Sequence, residues 1–348
     1  MSSIEVGVLG ATGMVGQQFL QQLANHPWFR TSWLAASERS EGKRYDEAAP
    51  WRLAGPMPEG LAQQVVNPCT PGKGPKLVFS ALDASVAGQI EQAFAEAGHI
   101  VVSNARNFRL EDDVPLLVPE VNADHLDILK VQAAQRGWKG MIVTNPNCST
   151  VMLTMALAPL RQFGLRSCIV TTLQAVSGAG YPGVPSLDIL GNVIPFIGGE
   201  EEKIERETRK ILGACGGQAI AWHPVVVSAS TTRVPVIDGH TESVSVDFDR
   251  EVADGEILEA FRSFSGEPQR LGLPSAPDVP LLYLEQQNRP QPRLDADRGR
   301  GMTVTVGRLR PCALLQWKFF ALGHNTIRGA AGAAVLNAEL MRERGLLS

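Results

Sequence analysis

Apolar positions along this chain recur with two periods, and the switches between them mark its organisation. Ile4 to Leu9 is a short apolar run ending at Gly10; after it Val15, Phe19 and Leu23 recur at helical spacing, which predicts strand, glycine turn and helix. His26 and Pro27 stop that helix, and Ser32 to Ala36 supplies a second apolar strand. Lys76 to Ser80 predicts a third strand, followed by a helix over about Ser85 to Ala97 and a fourth strand over His99 to Ser103. Strands alternating with helices imply crossover units and a mainly parallel sheet. The Pro- and Gly-rich stretch from Arg44 to Pro75 reads as surface excursions. Met141 to Val143 is one more strand, which runs into Thr144-Asn145-Pro146-Asn147-Cys148-Ser149-Thr150 and then a helical stretch to Leu160.

The second half changes character. Glu242 to Phe248 alternates with period two, placing Val244, Val246 and Phe248 on one face; Met302 to Val306 alternates likewise, and Leu314 to Leu322 is a long apolar strand. These predict a broad antiparallel or mixed sheet. A charged helix over Glu200 to Leu212 interrupts it, and Ser263 to Gly301, crowded with Pro, Gly and charge, reads as a long loop or arm. Thr326 to Arg344 predicts an Ala-rich helix able to fold back onto the first domain.

A length of 348 residues fits two domains sharing a cleft. Hydrophobic content of 44%, 20% charged residues and a formal charge of −4 are ordinary for a globular protein and give no basic footprint for nucleic acid. The five cysteines are scattered and never spaced as C-x-x-C, which argues against a disulfide framework and a zinc site and for a reducing cytosol. No secretory signal pattern opens the chain, and Val151 to Leu160 is far short of a membrane span.

Several places carry candidate chemistry. Gly10-x-x-Gly13-x-x-Gly16 sits between strand and helix, where glycines let backbone approach a pyrophosphate and the helix start offers free N–H groups; a tight packing turn would use the same residues. The second strand runs into Ser37-Glu38-Arg39-Ser40, where hydroxyls and a cation suit a 2′-phosphate and favour NADP, with Glu38 the alternative ribose acid that would signal NAD. Cys148 lies where a strand ends and a helix begins, so the dipole and nearby N–H groups are expected to lower its pKa; the other four cysteines read as buried structural ones. His240, in the turn after Arg233 to Gly239, suits a catalytic base, whereas His26, His99, His125 and His223 read as surface. Gln174 precedes a glycine-rich loop able to cover a nicotinamide, and Arg109, Lys203 and Arg233 are candidate anion clamps, each of which taken singly reads as an exposed cation.

Taken together, Gly10-Ala11-Thr12-Gly13, the Cys148 motif, Gln174-Ala175-Val176-Ser177-Gly178-Ala179-Gly180-Tyr181-Pro182, Arg233-Val234-Pro235 through His240, and His324-Asn325-Thr326-Ile327-Arg328-Gly329 resemble the aspartate-semialdehyde dehydrogenase family, archaeal and fungal branch, over nearly the whole chain. The resemblance implies an α/β protein: a Rossmann-type, mainly parallel domain (1–147 with 324–348) and an α+β catalytic and dimerisation domain (148–323) with a mixed or antiparallel sheet. It implies an NADPH-dependent reduction of L-aspartyl-4-phosphate through a Cys148 thioester, in the biosynthesis of lysine, threonine and methionine. Gln174 would support the reaction and His240 would act as general acid/base. Glu200, Lys203 and Arg233 would contact substrate, with Arg109 and Asn147 beside the phosphate; Arg106, three residues earlier, could take the place of Arg109. Gly10, Thr12, Gly13, Met14, Val15, Ser37, Arg39, Ser40, Ser80, Ser177, Gly178 and Asn325 would hold the cofactor, with no metal, and the assembly would be a homodimer or homotetramer. Malonyl-CoA reductase resembles the same branch and uses the same thioester and hydride chemistry; Glu200 together with Lys203 leans toward an amino-acid phosphate, because malonyl-CoA has no amino group. A catalytically silent nucleotide-binding relative is the remaining alternative.

Overall fold

The computed structural model describes residues 3–347. Six strands, β1 (Ile4–Leu9), β2 (Phe29–Ala36), β3 (Val66–Pro68), β4 (Leu77–Ser80), β5 (Ile100–Ser103) and β6 (Met141–Thr144), form an all-parallel sheet in the order β3-β2-β1-β4-β5-β6. This is the doubly wound order with its switch point between β1 and β4, and ligands bind there, outside the carboxyl ends of the strands. The central strands β4 and β5 are buried at every position, because both faces of the sheet are covered there.

The second sheet contains β7 (Leu165–Gln174), β10 (Val226–Arg233), β11 (His240–Phe248), β12 (Leu281–Leu284), β13 (Val304–Pro311) and β14 (Trp317–Gly323); a small hairpin, β8 (Ala214–Cys215) with β9 (Ile220–Ala221), stands apart. Its order is β10-β7-β11-β14-β13-β12, with β7, β11, β14 and β13 antiparallel and the two outer strands parallel to their neighbours. Val244, Val246 and Phe248 turn inward with Cys168 and Val170 of β7, and the helix Cys148–Leu157 packs into that core.

The Thr326–Arg344 segment opens with a π-helical turn, Ile327–Ala331, and continues as the helix Gly332–Glu343. Ala334, Val335, Leu336, Ala338, Leu340 and Met341 join Val6, Phe19 and Phe79 in the core of the first sheet.

Several sequence expectations need correction. The stretch from Arg44 to Pro75 is not all excursion, because β3 lies in it as the edge strand paired with β2. Ser263 to Gly301 is no free arm: it supplies the edge strand β12, Leu273 enters the first core, and Asp295 is buried between Arg289 and Arg298. Nor are the histidines superficial, since His99 and His125 are buried and His26 bonds the buried Glu339 at 2.6 Å. Of the four cysteines outside the Cys148 motif, Cys168 alone is fully buried.

Candidate active site

Asn147 stands at the N-cap of the Cys148 helix, and its Oδ1 accepts from the N–H groups of Ser149 (3.0 Å) and Thr150 (3.2 Å). This cap places Cys148 at the first helical position. The π-helical turn presses down on it: a Cβ added to Gly329 would lie 2.7 Å from Cβ of Cys148, so only glycine fits. That turn is anchored by Arg328, fully buried and paired bidentately with Glu120 at 2.7 Å.

The Cys148 sulfur lies 3.2 Å from Nε2 of His240, the first residue of β11. The backbone N–H of Ala175 donates to Nδ1 of the same ring at 3.0 Å. A neutral imidazole that accepts at one nitrogen carries its proton on the other, so the structure assigns the His240 proton to Nε2, facing sulfur. The carbonyl of Ala175 accepts from Nη1 of Arg233 at 2.7 Å. One peptide segment after β7 thereby orients both groups, and Gly178 packs against both.

Glu200 opens the helix Glu200–Ile211 and is buried. It accepts from Nδ2 of Asn147 (2.7 Å), Nε2 of Gln174 (3.1 Å) and Nζ of Lys203 (2.9 Å). Burial works against its ionisation, but Lys203, Asn147 and Gln174 outweigh it and hold the carboxyl below its ordinary value. Arg109 rather than Arg106 enters the site: Arg109 is buried, and Arg106 is exposed. Arg109 donates to Glu207 (3.0 Å) and to the carbonyl of Asn104 (2.6 Å). Arg109 and Arg233 are thus interior cations, unlike the exposed cations each suggests alone.

The lowered thiol pKa expected at the helix start does not hold: the surroundings of Cys148 favour the protonated form. Burial, foremost, and then the Glu200 carboxylate push the Cys148 thiol up to about 12, against the pull of Arg109 and Arg233. The helix start gives less help than its position suggests, because two of its N–H groups are already bonded to Asn147. His240 moves the other way, down to about 3, through burial and then Arg233. The resting pair is a thiol beside a neutral imidazole.

No side chain caps the helix Met14–Leu23, so its first N–H groups face outward, and Gly10, Thr12, Gly13, Met14 and Val15 line the turn at the end of β1. The position of a Gly13 Cβ has nothing closer than the carbonyl oxygen of Gly10 at 3.5 Å, which leaves backbone open to a pyrophosphate. Ser37 and Arg39 are exposed just past β2, with Ser40 buried behind them and Ser80 buried at the end of β4. A cleft of about 500 Å³ runs from Met14 past Arg52 to Ser177, His324 and Thr326. Beside it Asn325 donates to Oγ of Ser177 at 2.7 Å and accepts from the N–H of Gly239 at 2.8 Å. This donor set and open turn fit a dinucleotide whose reactive end reaches the Cys148 side.

Sequence reasoning missed Glu207, Ala175 and Gly329. Glu207 was legible as the next inward position after Glu200 and Lys203 on one helix; Ala175 acts through its backbone, which no side-chain pattern reports.

A doubly wound nucleotide lobe facing a cysteine–histidine pair on a mixed-sheet lobe is the arrangement of a dehydrogenase that works through a thioester on cysteine. Residues 5–129 match the semialdehyde dehydrogenase NAD binding domain family and residues 157–328 its dimerisation domain family. The chain is 53% identical over 337 residues to the aspartate-semialdehyde dehydrogenase of Archaeoglobus fulgidus, covering 97% of each, and 46% identical to that of Schizosaccharomyces pombe, covering 100% of each. Among solved structures, the aspartate semialdehyde dehydrogenase from Candida albicans with NADP superposes with a TM-score of 0.91 at 44% identity, covering 99% of this chain and 100% of that one. The chain belongs to the aspartate-semialdehyde dehydrogenase family.

Proposed function

We propose that this protein reduces L-aspartyl-4-phosphate to L-aspartate-4-semialdehyde with NADPH, through a thioester on Cys148, as a step in aspartate-derived amino-acid biosynthesis. The observation that carries this reading is the Cys148 sulfur 3.2 Å from Nε2 of His240, ringed by buried Glu200, Arg109 and Arg233. In the acylation step the sulfur bonds the acyl carbon and the bond from that carbon to the phosphate oxygen breaks. The thiol proton departs on the leaving phosphate, so the step balances without an external base. Arg109, whose buried Nε lacks a hydrogen-bond partner among the described residues, and Lys203 face the anion.

Arg233 retains donors beyond its bond to Ala175 and would grip the α-carboxylate. Glu200 has accepted three hydrogen bonds out of roughly four lone-pair directions, which leaves room for the substrate ammonium. That pairing would also screen the charge that helps hold the thiol protonated. When bound, the nicotinamide supplies the hydride for the thioester carbon. The uncapped helix start and the Ser37 to Ser40 corner would hold its phosphates, with Ser177, Gly178 and Asn325 beside its reactive ring. As sulfur leaves, the Nε2–H of His240 donates a hydrogen bond to it, and one proton taken up from water restores the thiol, so the ring works as a hydrogen-bond donor in place of the general acid/base implied by the resemblance. Gln174, through Nε2, lies on the same side.

We place the division into lobes at 1–147 with 324–348 and 148–323. The outward Leu187, Leu190, Val193 and Phe196, with Ile169 and Val226 on the open sheet face, support a homodimer or homotetramer built through the second lobe. Five free cysteines suit a cytosolic setting, and no described helix is long and apolar enough to cross a membrane. The names of the relatives do not favour malonyl-CoA reduction. The deciding assay follows NADP reduction with aspartate semialdehyde plus phosphate against NADPH oxidation with malonyl-CoA. Turnover with malonyl-CoA alone would overturn the reading.

A further inference from the structure

The helix Glu200–Ile211 carries Glu200, Lys203, Glu207 and Lys210 along one stripe, as spacings of three and four residues dictate. Glu200 lies on the Cys148 side, bonded by Asn147 and Gln174, and Lys203 bonds its other oxygen. Glu207 lies deeper, with its side chain 2% exposed, and serves two donors at once. One carboxylate oxygen accepts from Nη1 of Arg109 at 3.0 Å, and the other accepts from the backbone N–H of Asn147 at 2.6 Å. Lys210 completes the attachment by donating to the carbonyls of Arg109 (2.8 Å), Glu111 (2.7 Å) and Val114 (2.8 Å). The segment bearing Arg109 is thus tied to this helix by backbone and side chain together.

We infer that Glu207 is a positioning residue: it locks the anion-clamp Arg109 to the turn that presents Cys148, so that phosphate capture and sulfur attack share one geometry. Among the described residues, the Arg109 guanidinium bonds, apart from Glu207, only the carbonyl of Asn104, and its Nε has no partner. Without the carboxylate the guanidinium is free to turn away from the leaving group, and the Asn147 N–H loses its acceptor next to the nucleophile. The bridge needs two acceptor oxygens on one side chain. Glutamine has the same shape but offers one acceptor and presents an NH₂ to the other donor. The inference rests on the phosphate role of Arg109 proposed above.

The test is a kinetic double-mutant cycle in the oxidative direction, with NADP, aspartate semialdehyde and inorganic phosphate as the varied ligand. Glu207→Gln is expected to raise the KM for phosphate roughly 10- to 100-fold, the range of a lost hydrogen bond to a charged group, and to change the KM for the aldehyde by less than about threefold. In an Arg109→Gln background the same change should add less than about threefold, because residues acting through each other are not additive. Equal rises in both KM values, no rise for phosphate, or full additivity would each overturn the inference. Should Glu207→Gln fail to fold in a melting assay, Glu207→Asp, with two oxygens on a shorter arm, must show the same phosphate-selective rise; an unselective loss there overturns it equally. A wild type inactive with aspartate semialdehyde would defeat the substrate reading first, and this one with it. An active wild type with an unselective variant defeats this one alone.

Discussion

The backbone N–H of Ala175 points at Nδ1 of His240 from 3.0 Å, so an imidazolium would set two N–H groups against each other. Burial, foremost, and then Arg233 reinforce this and bring the ring to about 3. Because the folded value lies below the ordinary 6.5, the unfolded chain binds the extra proton, and stability is lost as pH falls from about 6.5 toward about 3. Urea denaturation should show His240 costing roughly 2 kcal/mol between pH 7 and pH 5, a difference that His240→Gln removes. The pH–rate profile should carry no His240 limb between pH 5 and 8, and a limb near 6.5 that disappears in His240→Gln would contradict the tautomer. Activity of His240→Ala should fall roughly 10- to 100-fold, the range of a lost hydrogen bond to a charged group.

Glu200 is the second cause, after burial, that keeps the Cys148 thiol protonated. Glu200→Gln should therefore speed alkylation of Cys148 at pH 8, followed as the modified peptide by mass spectrometry, while turnover falls. In the unmodified protein the alkylation rate should still be climbing above pH 9. A plateau below pH 8 would show an activated thiolate that the free structure does not contain. Cys148→Ala should accumulate no acyl-enzyme in intact-mass measurements.

Gly329 tests the roof over the nucleophile. Alanine there would put a methyl 2.7 Å from Cβ and 3.0 Å from Cα of Cys148, a clash that only backbone movement relieves. The expected stability loss is about 1–3 kcal/mol. Acyl-enzyme formation should drop by more than the fraction of unfolded chains explains, and a fully active Gly329→Ala would show that the site tolerates a displaced sulfur.

The Arg328–Glu120 pair is sealed from solvent on both sides. Glu120→Gln leaves a buried guanidinium without its counter-charge, and the loss should be about 3–5 kcal/mol in urea denaturation at neutral pH. Replacing both partners by apolar residues should recover much of that loss, because desolvation of the two charges is then avoided.

The parallel sheet was legible because β1, β2, β4, β5 and β6 each carry a short apolar run and turn signals separate them. By contrast β3 escaped notice: at three residues, ending in Pro68, it is too short and too polar to show a period. The strand β12 was hidden by the proline and charge around it. Cys148, His240, Gln174, Glu200 and Arg233 could be named from motifs, and they converge. The ionisation of the pair could not be read from sequence. It depends on burial and on a backbone N–H from Ala175, a residue whose side chain does nothing. The exposure of Arg109, His99 and His125 was misjudged for a related reason: partners from distant segments decide where a polar side chain can rest.

The helix Gly332–Glu343, which fills the core of the first sheet, also sets a timetable for synthesis. A ribosome that has finished β6 at Thr144 must add about 200 further residues before that helix emerges, roughly 10–40 s at typical elongation rates. Through that interval the nascent nucleotide lobe exposes the groove awaiting Val335, Leu336 and Leu340, and a chaperone would be the natural occupant until the C-terminal helix arrives.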